Sequence, residues 1–527
     1  MSKVAKAAIG LMAATLVAKI LGFGREITLA SAYGASSISD AFLVAMNIPA
    51  VIFTAIGTSL GTAFIPLFCE VRSKDGDDAA VKYTNNIFNA VVIICVIIAI
   101  IGAIFAPEVV KLFALGFKGE TMEKAVYFTR IMILGIPFLG ISYIMMAFLQ
   151  VRDNFIIPGL MSVPYNALII ISILLSVKTT PYILPYGAII GLLGQFIFQL
   201  PFAIKRGYRY IPYVNFKDEY LKKMLYLVGP VLIGVAVTQI NTIVDRTIAS
   251  TLVEGSISAL SYANKLNQFV MGMFIVSISS VVYPMLSKLS TENNKVEFNK
   301  SIVTAFSTVI LLVIPISVGA IILSTPIVKI LFQRGAFDER ATYMTSIALI
   351  FYSIGMIGFG LRDILGKVFY SLQDTKTPMI NGAIAMGLNI ILNISFVKFT
   401  NMQLAGLALA TSTSALVTVA LLFINLRNKI GPFGGRHVLS VFIKAIISAL
   451  LMALVTSFVY KNLSNIFGMG TIKEIITLGL SILSGALVYG ICIIIFKIDE
   501  VNLIINTVKK KLKKIWFINL IIWKSRT

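Results

Sequence analysis

The sequence predicts an all-α fold: a polytopic membrane protein of about fourteen transmembrane helices, in two six-helix lobes plus two C-terminal helices. Hydrophobic residues make up 58% of the 527 residues and charged residues only 13%. A water-soluble chain with that balance could not cover its surface with polar groups. Apolar runs near the ~20 residues that cross a bilayer recur from end to end, separated by short loops.

The predicted spans follow one another along the whole chain. Their centres lie near residues 14, 53, 97, 136, 166, 192, 236, 272, 312, 354, 386, 413, 448 and 485. Lysine and arginine are concentrated in the even-numbered connections and at the two ends, as in "KRGYRY" (205–210) and "KKKLKK" (509–514). Because positive loops stay in the cytoplasm, we expect both termini there.

The chain contains an internal repeat. "GREITLASAYGASSISDAF" (24–42) returns loosely as "VDRTIASTLVEGSISALSY" (244–262), and "AFLQVRDNFIIP" (147–158) as "YSLQDTKTP" (370–378), at offsets of roughly 220 residues. An even number of spans per repeat gives both lobes the same orientation around a central cavity. We therefore predict lobes at 1–210 and 211–432, two extra helices at 433–497, and a basic amphipathic cytoplasmic tail at 498–527.

Charged residues recur inside the apolar runs. Each costs roughly 3 kcal/mol at mid-bilayer, so such residues usually face a cavity, a partner or a substrate path. Cations outnumber acids among them: Lys19, Arg25, Glu26, Asp40 and Arg130 in the first half, and Asp245, Arg246, Lys265, Arg362, Asp363 and Lys367 in the second.

Three explanations of these charges stay open, and one of them, for Lys19 and Arg25, is that the long side chain reaches the membrane interface. Internal pairing would join Glu26 to Arg25, Asp245 to Arg246, and Asp363 to Arg362 or Lys367. Alternatively, the cations line a cavity and bind an anion, because ammonium and guanidinium groups in low dielectric favour phosphate or carboxylate. Lys19 and Lys265 have no adjacent acid, and Gly22 and Gly24 invite a bend that would bring Lys19 and Arg25 together.

Several function classes are excluded by what the sequence lacks. The three cysteines and one histidine have no metal-binding or redox spacing. There is no phosphate-binding loop, kinase signature or nucleophile elbow, so we expect a transporter and no enzyme. The net charge of +22 is spread over membrane loops without a nucleic-acid motif. Anionic membrane lipids are the expected partners of these cations, and nucleic acid is not.

The motifs "AKILGFGREITLASAYGASSISDAF" (18–42), "NIP" (47–49), "AFIPLF" (63–68) and "VDRTIASTLVEGSISALSYANKLNQF" (244–269) resemble the lipid II flippase family, MurJ or MviN. That family belongs to the multidrug/oligosaccharidyl-lipid/polysaccharide exporter superfamily. The resemblance implies fourteen helices, a central cavity between the lobes, and a lipid-tail groove formed by the last two helices. It also implies a multi-pass protein of the bacterial cytoplasmic membrane that acts in peptidoglycan synthesis, with the cell-wall synthesis machinery as a partner. We expect a monomer, because a duplicated bundle has its own central cavity.

The resemblance also implies a set of substrate-binding residues. These are Lys19, Arg25, Glu26, Asp40, Arg246 and Lys265. Lys19 and Lys265 stand where many family members have arginine. A lysine keeps the charge but loses the bidentate fork, so its contacts to a pyrophosphate are less directional.

Some relatives use a sodium site between helices seven, eleven and twelve. By resemblance, Asp245, Asn389, Asn393 and Thr411 supply oxygen ligands for Na⁺ as a coupling ion, and no other cofactor is expected. Interhelical hydrogen bonding explains Asn389 and Asn393 equally well, because residues four apart share a helix face.

The expected activity is translocation of lipid II, the polyprenyl-pyrophosphate-linked peptidoglycan precursor, from the inner to the outer leaflet by alternating access. Membrane potential, a cation gradient or both would drive it. The alternatives are a flippase for another polyprenyl-linked oligosaccharide, a cation-coupled multidrug exporter, and a non-transporting protein that retains the fold. An exporter would have an acid-rich cavity and twelve spans, whereas this chain has excess cations and two more spans.

Overall fold

The computed structural model describes residues 3–292, 294–468 and 470–501. These residues form helices joined by short connections, and no strand occurs among them. The predicted all-α class is confirmed. The chain divides into two compact units: Met1–Tyr262 with Phe332–Thr342, and Ala263–Leu331 with Tyr343–Thr527. Each unit is described separately below, and the lobe boundaries predicted at 210, 432 and 497 stay predictions.

The first nine helices belong to the first unit. They are α1 (Lys3–Tyr33), α2 (Ser37–Asp75), α3 (Asp77–Ile104), α4 (Ala106–Phe113), α5 (Gly119–Met132), α6 (Ile136–Val151), α7 (Ile156–Leu160), α8 (Ser162–Lys178) and α9 (Leu184–Lys205), with 3₁₀ turns at Ile133–Gly135 and Pro181–Ile183.

The remaining helices begin after a linker. They are α10 (Glu219–Ala249), α11 (Ser256–Thr291), α12 (Lys295–Ile322), α13 (Ser324–Phe332), α14 (Glu339–Ser371), α15 (Lys376–Phe399), α16 (Gln403–Ile430), α17 (Gly435–Phe467) and α18 (Thr471–Ile495). The predicted tail at 498–527 lies almost wholly outside the described residues.

Each predicted span centre falls within one of these helices. Among the described residues, eleven helical segments are long and apolar enough to cross a membrane. The other three predicted spans lie in the long helices α1, α2 and α10. The predicted count of fourteen is consistent with this arrangement.

Local signals set where several helices begin. The Ser36 side chain accepts a hydrogen bond from the Ser39 amide and caps α2. Asp218 caps α10 through the Leu221 amide, and Asn294 caps α12 through the Glu297 amide. These are the polar side chains that satisfy the free amides of a first helical turn.

The two halves share irregular features at matching positions. The short helices α4 and α13 follow the third span of each half, about 220 residues apart. The loops after α6 and α14 each contain a non-glycine residue in the left-handed region, Asp153 with φ 59° and Gln373 with φ 58°. Such conformations are uncommon for residues with a side chain, so their recurrence supports a duplicated chain.

Three asparagines of α3 hold the linker that leads from α9 to α10. Asn85 accepts from the Ile211 amide at 3.0 Å and donates to the Arg209 carbonyl. Asn86 exchanges two hydrogen bonds with the backbone of Asn215. Asn89 donates to the Tyr213 carbonyl at 2.9 Å. The irregular linker therefore has its backbone polar groups satisfied by side chains rather than by its own secondary structure.

Candidate functional site

Arg25 and Glu26 form an ion pair on α1 in the first unit. Arg25 Nη2 donates to Glu26 Oε1 at 2.6 Å, and Arg25 Nη1 donates to Asn166 Oδ1 on α8 at 3.2 Å. The Arg25 side chain is 11% exposed and that of Glu26 only 1%. The pairing considered from the sequence is confirmed here, and Asn166 is an additional partner.

The second oxygen of Glu26 is an open acceptor. Oε2 is buried and accepts no hydrogen bond from the described residues. Leaving a buried acceptor unsatisfied costs free energy, and more so for a charged group. A hydroxyl or amide donor that arrives with a ligand would therefore be stabilised at this position.

Lys19 lies apart from this cluster. Its side chain is exposed, and none of the ion pairs among the described residues involves it. α1 continues through Gly22 and Gly24 without a break. Six residues of an ideal helix separate two side chains by about 120° around the axis, so Lys19 and Arg25 lie on different faces of α1.

Asp40 is buried, with 4% of the residue exposed, in the first turn of α2. Oδ2 accepts from the Gly255 amide at 2.9 Å, and Oδ1 accepts from the Ser258 amide at 2.7 Å. Both oxygens thus satisfy free amides at the start of α11. The carboxylate therefore connects the first turns of two helices that are distant in sequence.

Four glycines bring backbone segments together beside Asp40. A Cβ on Gly116 would lie 2.3 Å from the Ser250 carbonyl oxygen, and one on Gly335 would lie 2.2 Å from the Ser31 carbonyl oxygen. A Cβ on Gly34 or Gly255 would meet the carbonyl oxygen of Ala336 or Ala35 at 2.3 Å.

Hydrogen bonds accompany this close approach. The Gly116 amide donates to Ser250 Oγ at 2.9 Å, and the Ala336 amide donates to the Ser31 carbonyl at 2.8 Å. The Tyr262 hydroxyl donates to the Gly34 carbonyl at 3.3 Å. We call the contacts of Asp40, Gly34, Gly116, Gly255 and Gly335 the clasp; all of them lie within the first unit.

Asp245 and Arg246 lie near the end of α10. Arg246 Nη1 donates to the Leu43 carbonyl at 3.1 Å, and Asn241 Nδ2 donates to Asp245 Oδ2 at 3.2 Å. Arg246 therefore contacts α2 at Leu43, which is three residues beyond Asp40 on that helix. Lys265 is part-buried on α11 and belongs to the second unit, so its convergence with Arg25 stays a prediction.

The asparagines of the predicted sodium site form a hydrogen-bonded chain in the second unit. Asn393 Nδ2 donates to Asn389 Oδ1 at 3.0 Å, and Asn389 Nδ2 donates to Thr411 Oγ1 at 3.4 Å. Both asparagines are buried. Neutral oxygens of this kind suit a hard monovalent cation, and they also link α15 to α16 directly. The side-chain oxygens of these three residues are thus of a type that Na⁺ accepts. The fourth predicted ligand, Asp245, belongs to the first unit.

The expected pairing of Asp363 with Arg362 or Lys367 is wrong. Asp363 instead accepts a short hydrogen bond from the Ser279 hydroxyl on α11. In the described parts of the chain, no carboxylate lies within ion-pair distance of Arg362 or Lys367. Adjacency alone does not decide pairing, because Arg25 and Glu26 are also neighbours on one helix and do pair.

An apolar cavity of about 470 Å³ lies in the second unit, between α11, α12, α14, α17 and α18. Leu266, Phe269, Pro315 and Met452 are among its lining residues. The Tyr489 hydroxyl at its edge donates to the Leu311 carbonyl at 2.9 Å. The cavity therefore offers an apolar surface that suits an aliphatic chain.

The first unit contains a second cavity of about 230 Å³, lined by Tyr143, Tyr165, Met161 and Gln195. Gln195 is 3% exposed, and its Nε2 has no acceptor among the described residues. Tyr165 is the chain neighbour of Asn166, the partner of Arg25. The ion pair therefore lies close to enclosed space.

A sequence model of the family described as "Lipid II flippase MurJ" matches residues 29–478. The chain belongs to the MurJ family. A probable lipid II flippase MurJ of Vibrio cholerae is 31% identical over 431 residues, covering 79% of this chain and 82% of that protein. One from Buchnera aphidicola subsp. Baizongia pistaciae is 30% identical over 464 residues, covering 87% and 90%.

Solved structures agree with this family membership. A lipid II flippase MurJ in an inward closed conformation superposes with a TM-score of 0.79 at 30% identity, covering 93% of this chain and 98% of that one. An inward-facing multidrug transporter of the MATE family has a TM-score of 0.68 at 14% identity, covering 81% and 98%. The second likeness concerns the fold alone.

For this MurJ family member, sequence reasoning missed Asn166 and the four glycines of the clasp. Asn166 lies 141 residues from Arg25, and no local pattern joins the two. The glycines had a weak signal: Gly116 and Gly335 occupy equivalent places in "FALGF" (113–117) and "FQRGAF" (332–337) of the two halves.

Proposed function

We propose that this chain is a lipid II flippase that moves the polyprenyl-pyrophosphate-linked precursor from the inner to the outer leaflet by alternating access. The observation that carries the proposal is the buried Arg25, held by Glu26 and Asn166 within the first span of a MurJ family member. A cation at that depth is costly unless it serves a partner or a substrate. No step in this function makes or breaks a covalent bond.

The head group would bind through an exchange of partners at Arg25. Its pyrophosphate competes with Glu26 for the guanidinium, since phosphate oxygens match the donor fork of arginine. A sugar hydroxyl can then donate to Glu26 Oε2, the open acceptor. We assign Lys19 and Arg246 to the positive field of the first unit, Lys265 to that of the second unit, and Asp40 to the conformational step.

The polyprenyl tail would occupy the apolar cavity beside α17 and α18. Burying aliphatic surface there is favourable by about 25 cal/mol per Å² relative to water. The tail thereby stays in an apolar environment while the head group crosses. This assigns residues 433–497, which contain α17 and α18, to tail binding.

The clasp would close one end of the transport path. Its contacts are mostly between backbone atoms, with Asp40 as the only carboxylate among them. With both termini in the cytoplasm, the clasp lies at the outer side of the membrane. Release of the Asp40 hydrogen bonds and separation of the glycines would then accompany outward opening.

Membrane potential supplies a direction without ATP. Moving about two net negative charges outward across ~100 mV, with the cytoplasm negative, releases roughly 4 to 5 kcal/mol. We propose Na⁺ as an additional coupling ion, with Asn389, Asn393 and Thr411 as its oxygen ligands in the second unit. The protein would act as a monomer in a bacterial cytoplasmic membrane, with anionic lipids at its basic loops.

The test is translocation of fluorescent lipid II by the purified chain in liposomes, read from the accessibility of the head group to a quencher. We expect faster translocation than in protein-free liposomes. Unlabelled lipid II should compete, and undecaprenyl-linked glycans of other structure should not. Competition by those glycans alone would instead assign the chain to another polyprenyl-linked oligosaccharide.

A further inference from the structure

The end of α14 near Ser371 carries two cations on an exposed part of the second unit. Arg362 is exposed and Lys367 is part-buried. They lie five residues apart, which is roughly 7.5 Å along a helix axis. A Cβ on Gly366, between them, would meet no atom within 4 Å. The two cations therefore border open space.

Aromatic rings fix the positions of both cations. The Arg362 guanidinium carbon lies 5.5 Å from the centroid of the Phe359 ring. The Lys367 ammonium lies 5.6 Å from the Tyr283 ring on α11 and 5.9 Å from the Tyr370 ring. Cation–π attraction orients these long side chains without using their hydrogen-bond donors.

Asp363, adjacent to Arg362 on α14, is the acid nearest to this pair in sequence. Asp363 accepts from Ser279 and makes no ion pair within the described ranges. A guanidinium and an ammonium with unused donors favour carboxylate or phosphate. We call Phe359, Arg362, Lys367, Tyr283 and Tyr370 the cationic stripe.

The stripe lies beyond the apolar cavity on both helices that the two share, α14 and α11. Met356 of α14 lines that cavity, and Arg362 lies six residues further along the same helix, which is roughly 9 Å. Tyr283 of α11 lies thirteen residues beyond the cavity residue Val270, which is roughly 20 Å. The pyrophosphate of a polyprenyl lipid is joined directly to its tail, whereas the peptide comes after the sugars.

We propose that the cationic stripe binds the carboxylates of the peptide carried by the transported head group. This rests on the proposed lipid II flippase function. Arg362 would take a carboxylate bidentately, and the tyrosine rings would pack on the peptide. The stripe thereby distinguishes lipid-linked sugars with an acidic peptide from those without one.

The test compares binding of three lipids to the full chain in nanodiscs. These are lipid II, the same lipid without its peptide, and the same lipid with its peptide carboxylates amidated. For the Arg362→Gln/Lys367→Gln variant we expect about tenfold weaker binding of lipid II, as for loss of charge-assisted hydrogen bonds, and unchanged binding of the other two lipids. Lys367→Arg should restore part of the affinity.

The matched control is Lys398→Gln, an exposed cation of the same unit in the last turn of α15; it should bind all three lipids like the wild type. If the double variant bound all three lipids more weakly by the same factor, the stripe would be assigned to pyrophosphate and the proposal overturned. Unchanged binding of lipid II by the double variant would also overturn it. If the folded wild type bound none of the three lipids, the flippase function itself would fail.

Discussion

The two halves of this chain carry an arginine at equivalent places but give it different partners. Arg25 is held by a carboxylate and an amide side chain, whereas Arg246 contacts the backbone carbonyl of Leu43. The clasp shows the same difference. Its glycine contacts occur twice, at Gly116 and Gly335, but Asp40 has Ala259 at the equivalent position after the shared Ser-Ile-Ser.

Duplication explains the backbone features that the two halves share, but not their acidic side chains. Backbone geometry recurs in both halves, because a repeated chain folds into repeated turns. The carboxylates Glu26 and Asp40, by contrast, have Thr247 and Ala259 at the equivalent positions of the second half, and these two we assign to substrate binding and to gating. A repeat with one-sided chemistry binds an asymmetric substrate such as a lipid with a charged head.

The largest expected effect is that of Arg25. Arg25→Ala should abolish lipid II translocation in liposomes, whereas Arg246→Ala should retain a measurable rate. Breaking a buried pair on one side also costs about 3–5 kcal/mol of stability, because Glu26 is left uncompensated. The matched variant Arg25→Ala/Glu26→Gln should recover thermal stability and remain inactive. Recovered translocation in that double variant would limit Arg25 to a structural role.

The next effect concerns the duplicated glycines. Gly116→Ala and Gly335→Ala each place a Cβ 2.2–2.3 Å from a carbonyl oxygen, and overpacking of this kind costs about 1–3 kcal/mol. We expect both variants to lower the melting temperature and to expose a cysteine placed at Ser250 to a labelling reagent. Gly366→Ala, which meets no atom within 4 Å, is the control. If the cysteine were labelled at the same rate in both glycine variants as in the control, the proposal that the clasp closes this end would be refuted.

Asp40→Asn should weaken the clasp without a steric clash. An asparagine accepts only one of the two amide hydrogen bonds, and its NH₂ faces the other donor. A hydrogen bond to a charged group is worth about 1.5–3 kcal/mol, so labelling of the same cysteine should rise by about 10- to 100-fold. Glu254→Gln tests the neighbouring carboxylate, which accepts from the Ser37 amide at an exposed position. An equal rise in that variant would contradict the special role of Asp40.

The smallest effect compares the loops after α6 and α14. Asp374 accepts from Lys429 at 2.5 Å and from the Thr377 amide at 2.9 Å, which lowers its pKa to about 2. Asn154 caps its own loop through the Ile157 amide and carries no charge. Because the folded pKa of Asp374 lies below its unfolded value near 4, its stabilisation is present above pH 4 and is lost as the pH falls toward 2.

That contribution is on the order of 1 kcal/mol at neutral pH, because solvent screens an ion pair whose lysine is 40% exposed. Wild type and Asp374→Asn should therefore differ in melting temperature at pH 6 and converge near pH 2. Asn154→Ala should lower the melting temperature by the same amount at every pH. A pH-independent difference for Asp374→Asn would show that its ion pair with Lys429 contributes nothing.

Much of the fold was predictable, because the length of each apolar run and the lysine and arginine content of each loop can be read from neighbouring residues alone. The ion pair of Arg25 with Glu26 was predictable from adjacency. The Asp363 pairing failed because its partner, Ser279, comes from another helix 84 residues away. The clasp and the asparagines that hold the linker also depend on contacts across more than a hundred residues, and no helical periodicity encodes those.

The central claim is that the buried cation of the first span binds the pyrophosphate of lipid II. Its most direct measurement is the lipid II affinity of the chain in nanodiscs, for the wild type and for the charge-balanced Arg25→Ala/Glu26→Gln variant. We expect at least tenfold weaker binding by the variant, and the same loss of affinity for a lipid that lacks the peptide. Equal affinities of the two folded proteins would contradict it.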